Sequence, residues 1–93
     1  MKHATEKALA NIEPLLHEIR AIPDRKERKT GCFYRKTRAF LHFHEDGEKM
    51  FADVRLQEPD FERLPATTRA EQRRLVSAVR KVLAGEALIR PAH

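Results

Sequence analysis

The chain is poor in the residues that usually announce chemistry or covalent stapling: one cysteine, no tryptophan, a single tyrosine and three glycines in 93 residues. A lone Cys32 excludes an intramolecular disulfide and fits a reducing compartment, and with nothing beside it in sequence to favour a thiolate it reads as a buried, inert thiol. No glycine-rich phosphate loop is present. No Ser or Cys nucleophile has a placed base and no spaced pair of carboxylates invites acid–base work. No catalytic residue is therefore assigned, no cofactor or small-molecule substrate is implied, and whether the protein is an enzyme stays open. No apolar run approaches the roughly 18–20 residues of a membrane span, and the first residues lack the continuous apolar core of a signal peptide, so the expected location is the cytoplasm, away from membranes.

What is present is a mixture typical of a soluble domain, 41% hydrophobic and 35% charged residues with a net charge of +5. A chain of this length buries roughly 60–65% of its unfolded surface, enough for one core and one domain. The charge is unevenly spread. Residues 20–38 hold eight Lys or Arg against Asp24 and Glu27, a surplus of six; residues 39–62 hold Lys49 and Arg55 against seven acids; residues 63–90 hold seven bases against Glu71 and Glu86. Two basic segments thus flank an acidic one, and they form a basic partner surface only if they meet in space.

The acidic segment contains the strongest local signal. Arg38 to Leu56 reads as a β-hairpin turning at Asp46-Gly47, with Glu45 facing Glu48, His42 facing Phe51 and Phe40 facing Asp53. Alternation puts Ala39, Leu41, Phe43, Met50, Ala52 and Val54 on a core face, and Phe40, His42, His44, Lys49, Phe51, Asp53 and Arg55 on the other. Before it, Cys32 to Lys36 is a short strand. A tight turn through Lys36, Thr37 and Arg38 places Cys32 and Tyr34 with the core and Phe33 and Arg35 beside Phe40 on the outer face.

Residues 5–22 read as a helix, with Leu9, Ile12, Leu15, Leu16, Ile19 and Ile22 as the apolar stripe and Pro14 either in its first turn or at a kink. Residues 23–31 read as a polar connector, and 57–67, with Pro59 and Pro65, as a second one anchored by Phe61 and Leu64. Thr68 and Glu71 form a capping box that opens a helix over 68–84, buried through Leu75, Val76, Val79, Val82 and Leu83 and closed at Gly85. Residues 86–93 form a tail with apolar residues that would pack on the body or on a second chain. The expected architecture is α+β in the order α-β-β-β-α, a three-stranded antiparallel meander (strands 32–36, 38–45 and 48–56) with both helices packed on one face, in a single domain over 1–93.

The stretch FYRKTRAFLHFHEDGEKMFADVRL resembles a family of small bacterial proteins of unassigned function that share a GVFY, RAFLHFHED and ADVRL pattern. The resemblance implies a bacterial cytoplasmic origin and carries no activity. In topology alone, α-β-β-β-α is similar to the double-stranded RNA-binding domain, which reads duplex RNA through its first helix, a strand loop and a lysine cluster opening its last helix. Lys36 and Arg38 stand at the loop and Arg69, Arg73 and Arg74 at the helix, but the lysine motif and the glycine-rich approach to that helix are absent.

Three functional readings follow. An aromatic strip of Phe33, Phe40 and Phe51 with His42 and His44 on an uncovered sheet face needs a cover, and a homodimer interface supplies it, which makes a non-enzymatic homo-oligomeric interaction module the leading expectation. The alternative is nucleic-acid binding, through Arg35, Lys36, Arg38, Arg55, Arg69, Arg73, Arg74 and Arg80 on phosphates, with the phenylalanines as stacking platforms. The third is a metal site at His42, His44 and Asp53: residues i and i+2 of a strand share a face, and two imidazoles with one carboxylate are the minimum that Zn²⁺ or Fe²⁺ requires. His3, His17 and His93 have no evident reason to approach it.

Overall fold

In a computed structural model, which describes residues 2–89, the chain is an α+β domain built on one antiparallel sheet. Strand β1 (Lys2–His3) precedes two short helices, α1 (Glu6–Ala10) and α2 (Glu13–Arg20). Four hairpin-linked strands and a fifth then follow: β2 (Lys26–Lys29), β3 (Cys32–Arg35), β4 (Arg38–Asp46), β5 (Lys49–Gln57) and β6 (Asp60–Pro65). Helix α3 (Arg69–Ile89) closes the described chain. The sheet order is β2-β3-β4-β5-β6, with β1 on the far half of β4. The meander is therefore longer than the three strands expected, and the α-β-β-β-α order on which the likeness to RNA-binding domains rests is not the one observed.

Both segments read as connectors are edge strands. Residues 26–29 pair with β3 although every side chain of β2 is polar, because an edge strand needs no apolar face when nothing lies beyond it. Residues 60–65 pair with β5 after a turn at the cis Glu58-Pro59 bond, and Pro65 is accommodated at the end of an outer strand, where its missing N–H is not needed. The first helix is two helices: Pro14 cannot donate to the Ala10 carbonyl, so α1 ends there and α2 restarts with Pro14 in its first turn. Gly85 lies inside α3 and does not end it. Of the expected tail, residues 86–89 are the last turn of α3 and 90–93 lie outside the described residues.

The central hairpin is shifted by two residues from the expected register. Gly47-Glu48 forms the turn, with Gly47 at φ +62°, so Asp46 faces Lys49, His44 faces Phe51, His42 faces Asp53 and Leu41 faces Val54. A turn with glycine in its first central position matches the twist of the strands as an Asp-Gly turn does. The observed register also replaces a Glu45–Glu48 facing pair by Asp46–Lys49, exchanging repulsion for attraction at the strand ends. A shift of two leaves the faces unchanged.

The β3–β4 pair does change faces. Arg35 faces Arg38 and Tyr34 faces Ala39, but Phe33 faces Leu41, so Phe40 is an extra residue on β4. Across such a bulge the alternation slips by one. Phe40 and Leu41 are both buried, at 3% and 1% exposure, and Phe33 is fully buried beneath them. Cys32, expected inside, is half-buried. The core consists of Phe33, Phe40, Leu41, Phe43, Ala52 and Val54 from the sheet against Leu9, Leu15, Leu16 and Ile19 of the first helices and Leu75, Val76 and Val79 of α3.

Candidate metal centre

The regular half of β4 carries the polar face. Because His42, Asp53 and Arg63 face one another across β4, β5 and β6, and His3, His44, Phe51 and Pro65 across β1, β4, β5 and β6, two adjacent rows of the ladder bring these side chains together on the side of the sheet away from the helices. His44 Nε2 lies 2.9 Å and His42 Nε2 3.5 Å from the same oxygen, Asp53 Oδ2. One donor atom from each of the three residues falls within 4.8 Å of the others, and all three residues are half-buried. The ligand atoms of a tetrahedral zinc with bonds of 2.0–2.1 Å sit about 3.3 Å apart, so rotamer adjustments bring the set to that geometry.

Arg63 fixes the carboxylate, with Nε donating to Oδ1 at 2.8 Å and an NH2 group donating to Oδ2 at 2.9 Å. That fork holds the Asp53 carboxyl below the usual carboxylate range, and the nearby imidazoles add to the effect. Burial and the neighbouring His44 push His42 below the ordinary histidine value, against the opposing pull of Asp53, so its imidazole is neutral with a lone pair to give at pH 7. The Nε2 of His44 is buried and makes no hydrogen bond, although it stands 2.9 Å from a carboxylate oxygen. The distance satisfies an ion pair and the direction does not satisfy a hydrogen bond.

His3 joins the group, although nothing in its sequence context points there. Its ring centroid is 4.7 Å from that of His44 and 5.7 Å from that of His42. Glu45 is what brings it there, accepting from the Thr5 backbone N–H at 2.8 Å and the Thr5 hydroxyl at 3.0 Å, with Lys2 at 3.7 Å. Phe61, the one large apolar side chain of the described residues that is exposed, at 37%, packs edge-on against His42 with centroids 5.2 Å apart. Arg55 covers the other side of Phe61, 4.2 Å from its centroid, and donates to the carbonyls of Ala39 and Pro59. His17 stands apart, exposed on α2, and His93 lies outside the described residues.

The other sequence-level sites do not assemble as expected. Phe33 and Phe40 are inside the core, so the outer strip of three phenylalanines does not exist; Phe51 and Phe61 are what remain of apolar surface beside the histidines. The Lys36/Arg38 turn and the start of α3 are also apart, although the two basic segments touch where Arg25 and Arg35 pair with Glu86 near the end of α3. The start of α3 is tied to the hairpin-tip end of β5, where Ala66 N–H donates to Met50 O and Met50 N–H to the Thr67 hydroxyl, both at 2.8 Å. Lys36 and Arg38 lie at the opposite end, where Arg38 pairs with Glu58 at 2.8 Å. Strand β6 has carried the chain back along β5, roughly 25 Å, before Arg69, Arg73 and Arg74 appear. Those three and Arg80 are exposed on α3, while Arg35 and Arg55 are engaged with Glu86 and with backbone carbonyls.

Compared with known proteins, the chain matches no family model, no curated protein and no solved structure. No helix among the described residues is long and apolar enough to cross a membrane.

Proposed function

We propose that the outer sheet face is a transition-metal binding face, with His42, His44 and Asp53 as ligands for an ion of the Zn²⁺ class and His3 or water in the fourth position. The observation that carries it is the convergence of His42 Nε2, His44 Nε2 and Asp53 Oδ2, with the His44 nitrogen buried and unpartnered. Two imidazoles and a carboxylate suit Zn²⁺ and Fe²⁺ better than the hard cations, which prefer all-oxygen sets. Arg63 is the outer partner that orients the carboxylate, as such sites commonly require, and its positive charge limits affinity to less than that of a closed four-ligand site. Three ligands leave one position for an exogenous group, which allows either a binding or a chemical role.

Calorimetric titration of tag-free protein with Zn²⁺ tests the reading. One equivalent binding at micromolar strength or better, abolished in His42→Ala and His44→Ala and unaltered in His17→Ala, supports it; equal weak binding in all four proteins refutes it. The assembly reading retains one observation, the exposed Phe61 beside the histidines. A homodimer closed over this face would double the mass in solution, and Phe61→Asp would halve it again.

A further inference from the structure

On the opposite, helix-facing side, the bulged end of the sheet holds a second constellation that the metal reading does not use. Arg25 is 5% exposed and its side chain is wholly buried. Its guanidinium lies 4.0 Å over the centroid of Phe40, donates to the Asp24 carbonyl at 3.0 Å and to Glu86 Oε2 at 2.9 Å, and leaves its Nε–H without an acceptor. Arg35 Nε stands 3.0 Å from the same Glu86 oxygen. Two guanidiniums therefore share one carboxylate, and one of them is fully desolvated. A buried cation without full compensation is costly unless something else supplies the missing charge.

Around this pair lies a cavity of about 600 Å³, within the range of small-molecule sites, walled also by Lys26, Lys36 and Tyr34. Its lining carries four cationic side chains against Asp24 and Glu86, a surplus of two. Among the described residues, the two non-glycine residues with positive φ, Asp24 at φ +63° and Lys36 at φ +58°, both line it. Backbone held in this region persists where surrounding structure enforces it, and such residues cluster at ligand sites.

We infer that this cavity binds the phosphate group of a small phosphate monoester, with the Arg25 and Arg35 guanidiniums as the anion clamp and Glu86 as the internal carboxylate that the phosphate displaces. The charge favours phosphate over carboxylate: with Glu86 displaced, the four cationic side chains face Asp24 alone, a surplus of three, and a monoester carrying about −1.5 to −2 at pH 7 meets more of it than a single carboxylate does. Planar guanidinium forks donate paired hydrogen bonds to phosphate oxygens and match their charge, and the Arg25 fork is already oriented by its stack on Phe40. The volume exceeds that of the phosphate alone, so the rest of the molecule lies along Tyr34 and the lysine stems. The inference is independent of the metal reading, since no residue is common to the two sites.

The test is an amide NMR titration of the whole chain at 150 mM salt with adenosine 5′-monophosphate, inorganic phosphate and adenosine. Saturable shifts at Arg25, Tyr34, Arg35 and Lys36 with the monophosphate and with phosphate, and none with adenosine, are expected. Glu86→Gln, which removes the competing charge and keeps an acceptor for Arg25, should tighten phosphate binding about tenfold, and Arg35→Gln should weaken it at least tenfold. Equal response to adenosine and its monophosphate, shifts spread over the α3 arginines instead, or a Glu86→Gln affinity equal to or weaker than wild type would overturn the inference. Because Arg35 is partly exposed, Arg35→Gln keeps the fold and reports binding alone.

Discussion

His44 and Arg25 each bury a side-chain nitrogen that has no hydrogen-bond partner, but His44 lies on the regular half of β4 and Arg25 stacks on Phe40 at its bulged half, on the opposite face of the sheet. At the regular half, strict alternation sends His42, His44 and Asp53 to the outer face. At the bulged half, one extra residue turns Phe40 inward and brings Arg25 and Arg35 to the helix side with it, where charge must be matched by Glu86. The outer face beside the regular half thus gathers His42, His44 and Asp53, and the helix-facing side beside the bulged half gathers Arg25, Arg35 and Glu86. A single bulge is what separates them.

Substitutions at the two halves should separate them further. The largest effect is expected at Phe40, which is buried by the bulge: Phe40→Ala should cost about 3–5 kcal/mol by denaturant unfolding and Phe40→Asp should leave the chain unfolded, whereas Phe51→Ala, half-exposed on the outer face, should cost below about 1.5 kcal/mol. Equal costs would mean that the strand alternates through the bulge after all. Next comes the removal of charge. Glu86→Ala strands a buried guanidinium, and with Arg35 partly in solvent the loss should be about 1–2 kcal/mol, while His44→Ala removes a group that already lacks a partner and should cost below about 1 kcal/mol.

The turns beside the two halves invite a milder comparison. Lys36 at φ +58° and Gly47 at φ +62° both have positive φ, but only one is glycine. Lys36→Gly should gain about 0.5–1 kcal/mol in thermal unfolding and Gly47→Ala should lose about 1 kcal/mol, since no atom stands in the way of a Cβ at Gly47 and only its φ opposes one. If Lys36→Gly destabilises instead, its side chain contributes more to the cavity wall than the backbone costs.

The smallest effect concerns pH. The N–H groups of Thr68 and Thr67 donate to the Glu71 carboxylate, and together with Arg74 they hold it below the ordinary glutamate value. A group whose folded pKa is depressed stabilises the fold above its unfolded value and loses that contribution as pH falls through the folded one. Stability should therefore decline as pH falls below about 4.5, and Glu71→Gln, which still accepts a hydrogen bond, should make that decline shallower. An unchanged slope would remove Glu71 as a contributor.

Much of this was legible in the residues. The helical stripes, the capping box and the shared face of His42, His44 and Asp53 follow from periodicity, and Glu71 N–H indeed donates to the Thr68 hydroxyl while Thr68 N–H donates to Glu71. Three things were not legible. The sequence KERK has no apolar alternation, so an edge strand paired on one side looks like a solvated loop. Two prolines disguised β6, although Leu64 faces Ala52 as a strand residue should. The bulge has no local signature, because alternation on both sides of Phe40 is intact and only the pairing with Phe33 reveals the slip. His3 was missed for a related reason: its placement depends on Glu45 forty residues away accepting from Thr5, and only Lys2, of sign opposite to Glu45, hints at it.

The measurement that bears most directly on the outer face is long-range ¹H–¹⁵N NMR of the histidine rings as Zn²⁺ is added to tag-free protein, because it reads which nitrogen of which ring takes the ion. The Nε2 signals of His42 and His44 should move together and saturate at one equivalent, with His3 following if it fills the fourth position and His17 unchanged on α2. Shifts of His17 as large as those of His42 and His44, or no saturation at one equivalent, would contradict a metal centre on this sheet.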